Sequence, residues 1–300
     1  MRRIFCLLLA LVLLSFALPS LAEISVSTAS FQGLTVDLSS ESIDLGDIQV
    51  TDWEAFYAFL SRLPSLTHVD MFATPVRANR IDEMVQRFPD IEFGWTIAFK
   101  EHTVRTDATA FSTLHYEDSA THGSSDLSVL RYCTKLQALD FGHNSADDLS
   151  FLSDLTDLKV LIIACNNVTD ITPLANLTHL EYLELFTNRV SDLTPLSGMN
   201  ELLDLNICLN SVTDLTPILQ LPKLERLWLT PHARGGKGDI PQSQLDEIVK
   251  THPDLELVTD APNPTAKGWR THRRYSVIHE MFDEGVYIPF TKSAGPITIK

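Results

Sequence analysis

Tyr182, Asp204 and Arg226 repeat at intervals of 22 residues, as do Glu184, Asn206 and Trp228, and Asp140 lies two such intervals before Glu184. Phe186 stands two residues beyond Glu184. Carboxylates, an amide, a guanidinium and aromatic rings held in register make a recognition surface rather than a reaction centre. Aromatic side chains gain free energy by leaving water at an interface. Acidic groups stacked on neighbouring strands repel one another until a cation meets them. The expected ligand is therefore a cationic protein or peptide.

Signals for reaction chemistry are few. There is no Gly-x-Ser-x-Gly, His-Glu-x-x-His or Cys-x-x-Cys in the chain, the spacings that set up an activated serine, a catalytic zinc or a redox pair. Arg234-Gly-Gly-Lys-Gly-Asp239 does not match a phosphate loop and reads as a connection. His272 and His279, seven apart, share a helix face and read as part of a cap. Cys133 falls in the column of Leu155, Leu177, Met199 and Leu221, a core column. Cys208 sits beside Asp204, and acidic surroundings raise a thiol's pKa. The rows of Asp and Glu lack the closed oxygen cage that calcium requires. No catalytic residue, metal or cofactor is assigned. Two other readings stay open: a hydrolase or metal-binding protein using the C-terminal tail or the irregular turn near His115, and a self-associating structural surface protein.

The elements that hold the binding columns repeat with the same period. Leu139, Leu161, Leu183, Leu205 and Leu227 are 22 residues apart; so are Asn144, Asn166, Asn188 and Asn210, and so are Pro173, Pro195 and Pro217. A Leu-x-Leu pair makes a short strand whose alternate side chains point inward. Stacking such turns pairs the strands in parallel and merges the leucines into one core. The asparagine amide can satisfy backbone groups stranded where each strand ends. The Thr-Pro segments on the far side lack a helix-length pattern and read as extended or 3₁₀ backbone.

Leu180-Glu-Tyr-Leu-Glu-Leu-Phe-Thr-Asn-Arg-Val-Ser-Asp-Leu-Thr-Pro-Leu196 resembles the 22-residue leucine-rich repeat of the bacterial internalins, over residues 136–230. The resemblance implies a right-handed α/β leucine-rich-repeat solenoid with a parallel sheet on its concave face. It implies a protein-binding role and leaves the ligand open.

Outside 136–230 the repeats loosen. Ile81–Phe93 is echoed by Leu245–Leu257, each reading as a short amphipathic helix, a proline break and a strand. Trp53–Leu60 reads as helix, Ile43–Leu45 as the earliest strand, and Thr113–Tyr116 as the fourth. About ten turns are expected over 40–260, with Glu92 and Glu256 in the central concave column. Residues 23–39 should cap the first turn and 261–300 the last. Within the tail, Trp269–Asp283 reads as a helix with Tyr275, Ile278, His279 and Phe282 on one face. Its Gly-Trp-Arg-x-His-x-Arg-Tyr motif (268–275) is similar to tails of other bacterial repeat proteins.

Met1-Arg2-Arg3, the apolar run Ile4–Leu18 and the small residues Ser20 and Ala22 read as a signal peptide over 1–22. A secreted or extracellular protein is expected, periplasmic in a two-membrane bacterium. The full chain carries 23 basic and 39 acidic residues, a net charge of −16. Loss of Arg2 and Arg3 takes it to −18. Such a chain repels nucleic acid and anionic membrane, which bind clustered Lys and Arg.

Overall fold

A computed structural model describes residues 27–114, 121–230, 232, 238–260 and 268–290. The expected signal segment, His115 and Tyr116, most of the glycine-rich connection and residues 291–300 lie outside the described residues. No described helix is long and apolar enough to cross a membrane.

The described chain opens with a hairpin, β1 (Thr28–Phe31) and β2 (Leu34–Asp37). Gln32 and Gly33 form its two-residue turn, both at positive φ, the geometry that matches strand twist. Phe31 reaches from β1 onto Phe56 and Phe59 of helix α1 (Trp53–Leu60), with ring centroids 5.2 and 5.6 Å away. The Asp52 carboxylate accepts from Ala55 N at 3.0 Å and caps α1.

Strands β3 (Ser42–Asp44), β4 (His68–Val76) and β5 (Glu92–Phe99) pair in parallel, with α2 (Ala78–Arg87) between β4 and β5. The stack then breaks. β5 turns back through Lys100 and Glu101 into β6 (His102–Arg105), which pairs antiparallel along the β5 edge that the next solenoid strand would use. A second sheet starts at β7 (Ala110–Ser112). After α3 (Ser124–Leu127) it continues through β8 (Ala138–Asp140), β9 (Val160–Ile162), β10 (Tyr182–Glu184), β11 (Asp204–Asn206) and β12 (Arg226–Trp228). Helix α4 (Gln242–Thr251) precedes its last strand, β13 (Glu256–Val258), and all seven strands are parallel.

Two sequence expectations are corrected here. The fourth solenoid strand lies at Ala110–Ser112, before Thr113, because the β5–β6 hairpin uses up the preceding chain. The concave column also shifts in two flanking strands. Gly94, not Glu92, pairs with Asp70, and Val258, not Glu256, pairs with Trp228. In both places a helical outer segment replaces the short 3₁₀ turn and moves the register by two residues.

In the regular part, Leu139, Leu161, Leu183, Leu205 and Leu227 are in register and buried in the main core. The outer face is built from 3₁₀ turns at Ser150–Leu152, Thr172–Leu174, Thr194–Leu196 and Thr216–Gln220. The asparagines form a ladder. Asn188 Nδ2 donates to Ile163 O and Leu185 O, both at 2.9 Å, while its Oδ1 accepts from Val168 N at 3.0 Å. Asn166 and Asn210 repeat this arrangement one turn away on either side. The residue before each ladder asparagine, His143, Cys165, Thr187 or Leu209, has φ between 54° and 56°. Left-handed backbone costs a non-glycine residue on the order of 1 kcal/mol, so each asparagine's hydrogen bonds must offset that strain.

Asn188→Ala is expected to lower stability by about 2–4 kcal/mol, since it strands buried backbone groups on two turns at once. Urea unfolding followed by circular dichroism measures it. A change below about 0.5 kcal/mol, the range of an ordinary surface substitution, would contradict the role given to the ladder.

Candidate functional site

The strands of the second sheet put two residues each on the concave side. One column runs Ala110, Ala138, Val160, Tyr182, Asp204, Arg226, Glu256, and the other Ser112, Asp140, Ile162, Glu184, Asn206, Trp228, Val258. Ala164, Phe186 and Cys208 follow the strand ends on the same side. All the residues expected to form the recognition surface are therefore brought together. They are not in water: Tyr182, Glu184, Phe186, Asp204, Asn206, Arg226, Trp228 and Asp140 are all buried.

The cover is the chain's own C-terminal segment. Helix α5 (Arg273–Glu284) and the turn before it lie across the concave sheet. Trp269, Ile278 and Met281 are fully buried against Ala138, Val160, Ile162, Tyr182, Phe186 and Trp228. The helix face turned to the sheet is Arg274, Ile278 and Met281; His279, expected on that face, is exposed and pairs with Asp283 at 2.8 Å. The tail thus covers the inside of the sheet rather than only the end of the stack.

Three charged groups of the sheet, Glu184, Asp204 and Arg226, have partners in this segment. Glu184 Oε1 accepts from Trp269 Nε1 at 2.7 Å and from the Tyr182 hydroxyl at 2.5 Å. Glu184 Oε2 accepts from the Arg270 guanidinium at 2.8 Å. Arg274 donates to Asp204 Oδ1 at 2.6 Å and also reaches Glu225. Arg226 donates to Gly268 O at 2.8 Å and lies 4.4 Å from the Trp269 ring centre. Trp228 and Tyr182 flank Trp269, with centroids 5.7 and 5.5 Å away. Gly268, at φ +117°, passes so close to Trp228 that a Cβ there would stand 3.0 Å from its ring. Glycine alone permits this approach without strain.

Burial sets the electrostatics. It pushes the Asp204 carboxyl up more than Arg274 and Arg226 pull it down. It raises the Tyr182 hydroxyl well above its ordinary value, helped by Glu184. The Cys133 and Cys208 thiols rise to about 12, so neither is a thiolate near neutrality. Arg270 stays charged, because Glu184 outweighs its desolvation.

Trp269, Arg270 and Arg274 are the residues that reading by columns missed. Their signal was present in the motif at 268–275, whose charge and aromatic content complement the sheet.

Asp140 supplies a pH test. Burial, and after it the Glu184 charge, raises its pKa to about 7, against the hydrogen bond that Gly142 N donates to it at 2.9 Å. The folded protein then holds a proton that the unfolded chain releases near pH 4, so stability falls as pH rises from about 4 to about 7. Asp140→Asn keeps an acceptor for Gly142 and removes the charge. The variant is expected to be more stable than wild type at pH 8, by up to about 4 kcal/mol, and to match it at pH 4. Equal urea midpoint differences at both pH values would contradict this.

Residues 156–198 match the family model for leucine-rich repeats in two copies. No curated protein matches the chain. Among solved structures, an internalin (inlF) from Listeria monocytogenes aligns at 23% identity over 76% of this chain, with a TM-score of 0.44. Internalin C2 from the same organism aligns at 19% identity over 78% of this chain, with a TM-score of 0.35. A leucine-rich-repeat protein of Leptospira interrogans, LIC12759, aligns at 16% over 67%, with a TM-score of 0.38. This chain spans 60%, 80% and 44% of those three proteins, respectively. By its 22-residue period, the repeat model matched over residues 156–198 and its stacked parallel strands, the chain folds as a leucine-rich-repeat solenoid.

Proposed function

We propose that this protein is an exported recognition module that binds a protein or peptide on the concave face of its second sheet. The ligand class is a cationic segment carrying an aromatic anchor. One observation carries the reading: the face already holds such a segment, with Trp269 and Arg270 on Glu184 and Arg274 on Asp204. The tail is the resident occupant in cis, and an external ligand uses the same contacts when the tail leaves. Export rests on the basic and apolar start of the chain.

Tethering decides the competition. A segment linked to its own site acts at an effective concentration on the order of millimolar. A free peptide making identical contacts therefore loses to the tail unless the tail is weakened. Trp269 and Ile278 are two of its three fully buried apolar anchors. Truncating a buried Trp alone costs about 3–5 kcal/mol.

The test is a fluorescent peptide of residues 268–290 added to the full-length protein, read by anisotropy. Binding is expected to Trp269→Ala with Ile278→Asp, and not to wild type. Adding Asp204→Asn and Glu184→Gln is expected to weaken that binding at least about tenfold, the equivalent of one charge-assisted hydrogen bond. A doubly substituted protein with a native circular dichroism spectrum and no affinity for the peptide would sink the proposal.

A further inference from the structure

At the junction between the two sheets, Glu101, His102 and His122 place one ligand atom each within 4.8 Å of one another. Glu101 is in the tight turn that joins β5 to β6, and His102 is the first residue of β6. His122 comes from the segment just before α3. Its position is fixed by the asparagine ladder: His122 N donates to Asn144 Oδ1 at 2.7 Å, and His122 O accepts from Ser145 N at 3.0 Å.

Glu101 Oε1 is 3.4 Å from His102 Nε2 and 3.4 Å from His122 Nε2. That is longer than an ordinary hydrogen bond, within the range of an ion pair. It matches the ligand-to-ligand spacing around a tetrahedral zinc ion, about 3.4 Å when each ligand is about 2.1 Å from the metal. The imidazole rings are packed together, centroids 4.7 Å apart, and both are buried. Neither ring nitrogen of His122 makes a hydrogen bond, a costly arrangement for a buried polar group unless something else binds it. Phe99 stands against both rings and Phe111 against His102, which keeps the pair dry. The Glu101 side chain is 25% exposed, so the cluster opens to solvent on that side alone. Lys100, next in the turn, is neutralised by Asp126 at 2.7 Å.

We infer that Glu101, His102 and His122 form a binding site for a divalent transition metal, with zinc the best fit. Two imidazole nitrogens and one carboxylate oxygen suit zinc and disfavour calcium and magnesium, which take oxygen ligands. Water completes the coordination on the open side. Bound metal ties the hairpin that ends the first sheet to the segment that enters the second, where strand pairing is interrupted.

The test uses full-length protein stripped with EDTA and refilled with Zn²⁺ or Co²⁺. Calorimetry is expected to show one tight equivalent of Zn²⁺, and Co²⁺ to give the intense visible absorption of a tetrahedral site. Zn²⁺ is also expected to raise Tm. Glu101→Gln keeps shape and loses charge, and His122→Phe keeps a ring in the aromatic box. Each is expected to weaken binding by about 100-fold or more, since even the outer partners of metal ligands are worth 10–100-fold, and to abolish the Tm rise. His279→Ala, at a surface His–Asp pair, is expected to leave binding unchanged. Stripped wild type that takes up no metal, or Glu101→Gln and His122→Phe proteins that bind as tightly as wild type, would overturn the site.

Discussion

A sheet that carries apolar side chains on both faces must be covered on both, and this parallel sheet is one. The leucine columns provide one cover by packing against the outer turns of the solenoid. The other face carries Ala138, Val160, Ile162, Ala164, Tyr182, Phe186 and Trp228, too much contiguous apolar surface to leave in water. The C-terminal segment supplies the second cover. Much of the molecule follows from this need: the long chain beyond β13, the amphipathic helix α5, and the glycine that lets the segment lie flat on Trp228.

Polar groups decide where the cover sits. Glu184 and Asp204 are fully buried carboxylates, and such groups cost several kcal/mol to desolvate. Arg270, Arg274 and Trp269 offset that cost only in one register, with Trp269 and Arg270 on Glu184 and Arg274 on Asp204. A helix displaced by a turn would keep its apolar contacts and strand both charges. The buried ions thus fix the register in which the segment lies on the sheet.

The solenoid was legible because its period never slips between Leu139 and Leu227, and a repeat that long has few other foldings. Register failed at Glu92 and Glu256, where helical outer turns change the repeat length, and at Thr113–Tyr116, where the β5–β6 hairpin uses up the preceding chain. The composition of the concave face from β8 to β12 was also legible, residue by residue, from the 22-residue columns. Its occupant was not. Reading columns for charge drew attention to Asp140, Glu184 and Asp204 and away from Ala110, Ala138, Val160 and Ile162 between them, whose small apolar side chains mark a surface meant to be covered. The His102–His122 pair was invisible for a different reason. Its members are 20 residues apart and meet only because β5 doubles back.

The central claim is that the tail is held on the concave face by specific charge pairs, and a double-mutant cycle tests it most directly. Asp204→Asn, Arg274→Met and the combined variant are compared with wild type by urea unfolding. The account predicts that the two substitutions are not additive, with a coupling of about 1.5–3 kcal/mol, as for residues in direct buried contact. Additivity within about 0.5 kcal/mol, the behaviour of distant sites, would contradict it and place the tail off the sheet.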